Sequence, residues 1–355
     1  MHDFYSDTQT RPTRAMRESV LDAEVGDERH DACPTTSELN RRVAELFGME
    51  AAVFLPSGTM CNEIAIAVHC RPGDELICER ESHIVFAESG GPAALSGVMV
   101  NALDGDRGRL STEDVLAAVR PASSFAPRSR LLVTEQTSNL GGGAIWPLEQ
   151  LNETALAARE AGLAVHLDGA RILNAHVATG IPVHDYARHH DSAWLSFTKG
   201  LGCPVGAVLA GSADFIQRAW LFKRRWGGAM RQTGVLTAMC LHALDHHVQR
   251  LTDDHALARS IAARLDDVAG LGRVHPPETN IVMITLDPAM PRAGPFAAAL
   301  RERGVSVTPV GCDRIRLVTH LDVDAAAGDA LVAACAALVR GLPGSASTTN
   351  RAMAP

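Results

Sequence analysis

Between Ala164 and Lys199 the chain passes through an apolar segment ending in an acid, a short helical segment, and a second apolar segment ending in a lysine. The first reads Val165-His166-Leu167-Asp168-Gly169-Ala170-Arg171, and the second closes in Ser196-Phe197-Thr198-Lys199-Gly200-Leu201-Gly202. A strand, a helix and a second strand place Asp168 and Lys199 at the ends of neighbouring strands, the edge of an open α/β sheet where ligands bind. Taken singly, Asp168 reads as a turn residue and Lys199 as a solvated surface lysine. Taken together, with Gly200 and Gly202 permitting close backbone approach after the lysine, they read as one site.

The rest of the chain supports such a sheet. Strand-like runs near 51–55, 75–78, 98–103, 131–135 and 207–210 alternate with helical patterns near 83–95, 112–120 and 147–161. This alternation predicts an α/β fold with a mostly parallel sheet of about seven strands, covered on both faces. Residues 1–11 read as an N-terminal arm and 12–250 as the large domain, with Pro12 opening a helix that runs to about Glu24. A small C-terminal α+β domain over 251–341 carries strand-like stretches at 280–286, 305–309 and 314–318 and a last helix near 324–339. Small polar residues over 342–355 predict a disordered tail.

Composition excludes several classes. A formal charge of −8 over 355 residues argues against a nucleic-acid partner, which requires clustered cations. The eight cysteines form no C-x-x-C pair and mostly fall within apolar patterns, as expected of reduced thiols in a cytoplasmic protein. No leader-like segment opens the chain, and no apolar run approaches the ~18 residues of a membrane span. The 15 histidines include the adjacent pairs His189-His190 and His246-His247, which do not share a helix face, and no His-Glu-x-x-His occurs, so no metal is expected.

A lysine able to form a Schiff base beside an acid able to pair with a protonated ring nitrogen is the requirement of pyridoxal 5′-phosphate (PLP). Its ring withdraws electrons strongly while the nitrogen stays charged, and a nearby carboxylate favours that charge. The remaining needs are a phosphate cup, a ring-stacking group and a carboxylate clamp. Ser57-Gly58-Thr59, between a strand and a helix, offers free backbone N–H groups, small hydroxyls and the positive helix end. His83 opens a helix one strand later, where an imidazole can lie over a ring. Arg171 follows Asp168 by three residues. Arg231 lies beside the glycine break Gly227-Gly228 and can reach a phosphate, and Arg316, on a strand of the small domain, carries a planar fork suited to a carboxylate.

These segments, in this order, resemble the low-specificity L-threonine aldolase family, PLP enzymes of the aspartate-aminotransferase-like fold (fold type I). The likeness runs from about Ser6 to Asp322. It is carried by Ser6-Asp7-Thr8-Gln9-Thr10-Arg11-Pro12, Pro56-Ser57-Gly58-Thr59-Met60-Cys61-Asn62, Glu88-Ser89-Gly90-Gly91, His166 to Arg171, Ser196 to Gly206, Gly227 to Gln232 and Arg316-Leu317-Val318-Thr319-His320-Leu321-Asp322. The resemblance implies that Lys199 bonds the cofactor, Asp168 holds the ring nitrogen, His83 stacks on the ring, and Gly58 and Thr59 bind phosphate. It further implies that Ser6, Arg171 and Arg316 grip the substrate carboxylate, and that the protein is a homotetramer built from dimers with shared active sites.

The chain departs from the family pattern around the substrate. An active-site tyrosine is replaced by His30, a His-Phe-x-Arg stretch reads Ser124-Phe125-Ala126-Pro127-Arg128, and Glu-Asn-Thr-His-Asn reads Glu135-Gln136-Thr137-Ser138-Asn139. The implied reaction is retro-aldol cleavage of an L-β-hydroxy-α-amino acid to glycine and an aldehyde, with His83 or His30 as the base. Transamination, β-elimination, racemisation or aldol transfer on the same scaffold stays open, since fold alone does not choose the chemistry. A catalytically weak PLP-binding protein is disfavoured by the intact Asp168 and Lys199 pair.

Overall fold

The seven apolar segments hydrogen-bond into one sheet. In the computed structural model, which describes residues 1–341, a short strand β1 (His2–Asp3) precedes β2 (Ala51–Leu55), β3 (Glu75–Glu79), β4 (Met99–Leu103), β5 (Ser129–Glu135), β6 (Ala164–Gly169), β7 (Ser192–Ser196) and β8 (Ala207–Gly211). Strands β2 to β8 lie in the order β2-β8-β7-β6-β5-β3-β4. Every pairing from β7 to β4 is parallel, and β8 alone runs against its neighbours. Strands covered on both faces read as unbroken apolar runs, and every residue of β7 and β8 is buried.

The pleat divides side chains between two cores. Phe54, Leu167, Leu195 and Val208 join one that includes Leu39, Val43 and Phe47 of the helix Pro34–Phe47. Val53, Leu55, Trp194 and Leu209 face the other, against Cys61 and Ile64 of the helix Gly58–His69. Asp168 pairs in register with Trp194.

Residues Thr10–Thr252 form one compact unit, and Met1–Gln9 belongs with the described residues from Asp253 onward in a second. In the second unit, β9 (Gly272–His275), β10 (Ile281–Leu286), β12 (Thr308–Val310) and β13 (Arg314–Val318) form an antiparallel sheet ordered β12-β13-β10-β9. The arm enters as β1, which pairs in parallel with β11 (Val305–Ser306) and buries Phe4 completely. Ile261, Leu265, Phe296, Leu300, Leu331 and Cys335 supply this unit's core. The tail expected at 342–355 lies outside the described residues.

Three local expectations change. The helix expected from Pro12 to Glu24 spans only Arg14–Glu18, capped by Thr13, whose hydroxyl accepts the Met16 N–H. Beyond it Leu21 and Val25 are exposed, so no buried stripe extends the helix. The helix expected over 83–95 is two short ones, His83–Phe86 and Gly91–Ser96, separated by left-handed backbone at Ser89 (φ 56°) and Gly90 (φ 74°). The strand-like run at 305–309 splits, its first part pairing with β1 and its second with β13.

Candidate active site

Register brings the carboxyl ends of several strands to one edge. Ala207 of β8 stands opposite both Leu55 and Ser196, and Asp168 stands between Glu135 and Trp194. The segments that follow β2, β5, β6 and β7 therefore gather at a single side of the sheet. After β2, Ser57 caps the helix Gly58–His69, its hydroxyl accepting the Met60 N–H at 3.3 Å. The Ser57 and Thr59 side chains are exposed at this helix end, where unpaired N–H groups favour an anion. Gly58 has a packing reason to be glycine, because a Cβ there would stand 2.2 Å from the Trp194 ring.

Trp194 also sets the proton positions in a fully buried network. Its indole N–H can only donate, and it donates to Asn62 Oδ1 at 2.7 Å. The Asn62 amide nitrogen must therefore be the atom that donates to Asp168 Oδ2 (2.9 Å) and Glu88 Oε1 (2.8 Å). His166 Nε2 then donates to Asn62 Oδ1 at 3.2 Å, leaving Nδ1 to accept from the Ser192 hydroxyl at 2.8 Å. Ser192 in turn accepts from His69 Nε2 at 2.8 Å. Burial holds the pKa of His166 well below the ordinary histidine value, in keeping with a neutral ring.

Asp168 is held from two sides: Oδ1 accepts the Ala170 N–H at 3.1 Å and Oδ2 accepts Asn62. A carboxylate offers about four acceptor positions, so capacity remains for a ring N–H. His83 Nδ1 bonds Glu88 Oε1 at 2.7 Å, while its backbone N–H donates to Glu135 Oε2 at 2.8 Å. The other Glu135 oxygen accepts the Asn139 N–H at 2.6 Å, and the Asn139 side chain accepts from Arg171 at 3.3 Å. Arg171 is thereby joined to the His83 neighbourhood through two residues.

These contacts perturb titration in opposing ways. Burial works against a charged His83, but its hydrogen bond to Glu88 and the fields of Asp168, Glu88 and Glu135 raise its pKa overall. Burial, reinforced by the Asp168 charge, pushes Glu135 up to about 7 against the hydrogen bonds it accepts from Asn139 and His83. Donor atoms of His83, Glu88 and Asp168 all lie within 4.8 Å of one another. That set could suit a cation, but the Asn62 amide hydrogens already bridge the two carboxylates.

Lys199 is half-buried in the turn after β7, its ammonium 5.3 Å from the centroid of Trp194, within cation–π range. Its carbonyl accepts the N–H of Gly202, whose backbone is left-handed at φ 79°. The chain contains two lysines, Lys199 and Lys223. Lys223 is fully buried and ion-paired at 2.7 Å with Glu28, whereas Lys199 is only half-buried, at the end of the sheet that carries Asp168.

Other expected site residues lie apart from this cluster or in the second unit. His30 is exposed and lines a pocket with Arg29, Trp220 and Arg224, none of them from the Asp168 network. Arg231 is exposed beside the same segment, its carbonyl accepting the Glu28 N–H at 3.1 Å. In the second unit, Arg316 donates to the Tyr5 carbonyl at 3.3 Å, and the neighbouring Ser6 hydroxyl accepts from Thr8 at 2.9 Å. Of the departures from the family pattern, Ser124 is exposed, whereas Ser138 is buried and closely packed. A Cβ on Gly108 would stand 1.9 Å from the Ser138 hydroxyl.

Asn62 and Trp194 join the site without a role expected from sequence, and Glu135 and Asn139 entered only as the ends of a segment that departs from the family pattern; the signal for Asn62 and Glu63 is two adjacent polar residues in a largely apolar helix.

The donor set fits PLP: a half-buried lysine after β7, a buried carboxylate with spare acceptor capacity, an imidazole beside it, and a helix end for phosphate. The fold is that of the fold type I PLP enzymes, and residues 3–289 match the family model for beta-eliminating lyases. Low-specificity L-threonine aldolase 1 of Arabidopsis thaliana is 38% identical over 324 residues, covering 90% of each chain. The low-specificity L-threonine aldolase of Escherichia coli K12 is 38% identical over 326 residues, covering 91% of this chain and 95% of its own. A solved Leishmania major threonine aldolase superposes with a TM-score of 0.79 at 22% identity, over 96% of this chain and all of the other. The chain belongs to the beta-eliminating lyase family, within its group of low-specificity L-threonine aldolases.

Proposed function

We propose that this chain cleaves an L-β-hydroxy-α-amino acid, such as threonine, allo-threonine or a bulkier analogue, to glycine and an aldehyde. The observation that carries the reading is the buried Asp168 carboxylate, anchored by Asn62 and Ala170, at the same sheet edge as Lys199, which follows β7. PLP, when bound, supplies the sink for the electron pair released as the Cα–Cβ bond breaks.

The residues divide the remaining work. Lys199 would hold the cofactor covalently through its side-chain amine. Asp168 would accept a ring N–H and favour its charge. Ser57, Gly58 and Thr59 bind phosphate at the helix end. His83 would stack on the ring and, with Nδ1 committed to Glu88, exchange protons through Nε2 at the substrate hydroxyl. A positioned proton transfer of this kind contributes about 10²–10⁴-fold. Arg171 is assigned to the substrate carboxylate, a role that predicts a raised KM for Arg171→Lys.

We also propose a homotetramer of dimers in the cytoplasm. His30 and Arg231 lie on the surface of their own unit, apart from the Asp168 network, so each suits the active site of a neighbouring copy. Phe86, three residues after His83, is 64% exposed, and Leu221 is 60% exposed, apolar surface of the kind subunits cover. Seven of the eight free cysteines are buried, in keeping with a reducing compartment. No helix among the described residues is long and apolar enough to cross a membrane.

The test is product analysis on purified protein supplied with PLP, using L-threonine, L-allo-threonine and L-phenylserine. Glycine and the matching aldehyde in equal amounts are expected. A keto acid, or turnover without glycine, overturns the reaction in favour of transamination or elimination.

A further inference from the structure

The network around Asp168 does not end at Glu88. Glu63 follows Asn62 on the same helix, and both of its carboxyl oxygens, together with Glu88 Oε2, are buried and receive no hydrogen from a described N–H or O–H group. Yet the Glu63 and Glu88 carboxyl groups stand within hydrogen-bonding reach of each other. Glu63 is also confined against the backbone of Gly91, where a Cβ would stand 1.9 Å from Oε1. Two ionised carboxylates cannot share such a place, because like charges in a dry site disfavour the second ionisation. A proton between them resolves the geometry.

We infer that Glu63 is the neutral member of a one-proton carboxyl pair, that it donates to Glu88 Oε2, and that the pair positions His83 by holding its Nδ1 hydrogen. Glu88 then has every donor it needs: Asn62 and His83 on Oε1 and Glu63 on Oε2. One net charge remains on the pair, enough to hold the imidazole and leave Nε2 as the exchanging nitrogen. Burial and the Glu88 charge push Glu63 up to about 8, in agreement with a neutral group at physiological pH. Glu88 is the charged group that faces Glu63, while Asp168, Glu88 and Glu135 face His83. The consequence for catalysis rests on the role proposed above for His83.

The test uses the PLP-loaded enzyme and two readouts independent of turnover: infrared absorption of protonated carboxyl groups and histidine-selective NMR titration. Wild type is expected to show a buried carboxylic-acid carbonyl stretch at pH 7 that disappears in Glu63→Gln. The His83 pKa is expected to stay within about 0.3 unit in that variant, since glutamine is neutral and offers an N–H to Glu88. If Glu63 is instead ionised, no band disappears and removing its charge lowers the His83 pKa by about one unit, which overturns the proposal. Glu88→Gln is expected to lower the His83 pKa by at least about one unit and shift the kcat–pH profile with it, with KM within about twofold. An unmoved His83 pKa in Glu88→Gln overturns the positioning role. Should Glu63→Gln not fold, glutamate-labelled wild type reads the same carbonyl band, and its absence at pH 7 refutes the neutral Glu63. A failed glycine assay overturns the reaction proposed above without altering either spectroscopic result.

Discussion

Asn62→Ala removes one carboxamide and with it four hydrogen bonds, to Asp168, Glu88, Trp194 and His166, at 2.9, 2.8, 2.7 and 3.2 Å. Two of these go to carboxylates, where a hydrogen bond contributes ~1.5–3 kcal/mol, and two satisfy buried N–H donors that cost ~1–3 kcal/mol each when left unpaired. The low end of those ranges totals about 5 kcal/mol. Asn62 is completely buried, and a water molecule entering the space it leaves recovers part of this, so a loss of ~3–5 kcal/mol is expected, a large share of a typical ~5–15 kcal/mol stability. Urea unfolding of the PLP-loaded enzyme should show a lower midpoint with an unchanged slope. Asn62→Asp should be worse, because its added carboxylate faces those of Glu88 and Asp168. A loss below about 1 kcal/mol, with unaltered PLP affinity, refutes the claim that Asn62 joins the network.

Two further predictions follow from buried charge. Lys223→Met strands Glu28, whose carboxylate also accepts the Met230 N–H at 2.6 Å, and should cost ~3–5 kcal/mol by chemical denaturation, with Glu28→Gln/Lys223→Met recovering much of the loss; equal stability of the single and double variants would contradict this. Stability should also be highest between about pH 4.5 and 6.5, where two opposing sets of groups offset each other, and fall on either side, as measured by unfolding midpoints at several pH values. Burial lowers His69 and His190 to about 3, so the unfolded chain binds more protons below the ordinary histidine value of ~6.5 and stability falls as pH drops. Glu63 and Glu135 are raised to about 8 and 7, and His83 is raised as well. For these the folded chain binds more protons, so stability declines as pH rises through their folded values, each tenfold difference in proton affinity between folded and unfolded chain being worth at most ~1.4 kcal/mol. A flat midpoint between pH 6.5 and 9 would refute the alkaline arm.

What could be read before the fold was known follows from which interactions are local. Asp168 and Lys199 were legible because each ends an apolar run, and run length and order carry over directly into a parallel sheet. Ser57-Gly58-Thr59 was legible as a helix entry, but the packing that requires Gly58 to be glycine comes from Trp194, distant in sequence. Asn62 was invisible as a hub because its partners come from β6, β7 and Glu88, and only the register of the sheet brings them together. The expected single helix over 83–95 failed where Ser89 adopts left-handed backbone, a conformation that local propensity does not favour for serine. His30 and Arg231 were selected for their chemistry, and chemistry alone does not tell which copy of a chain a side chain serves.

The central claim, that Lys199 is the residue through which this protein holds its cofactor, has a direct measurement. The PLP-loaded enzyme is reduced with borohydride, digested and mapped by mass spectrometry, with Lys199→Ala treated in parallel. With two lysines in the chain, the assignment is unambiguous. The account predicts a pyridoxyl adduct on the Lys199 peptide, none on the Lys223 peptide, and no adduct or visible cofactor band in Lys199→Ala. An adduct on Lys223, or an undiminished band in Lys199→Ala, would contradict it.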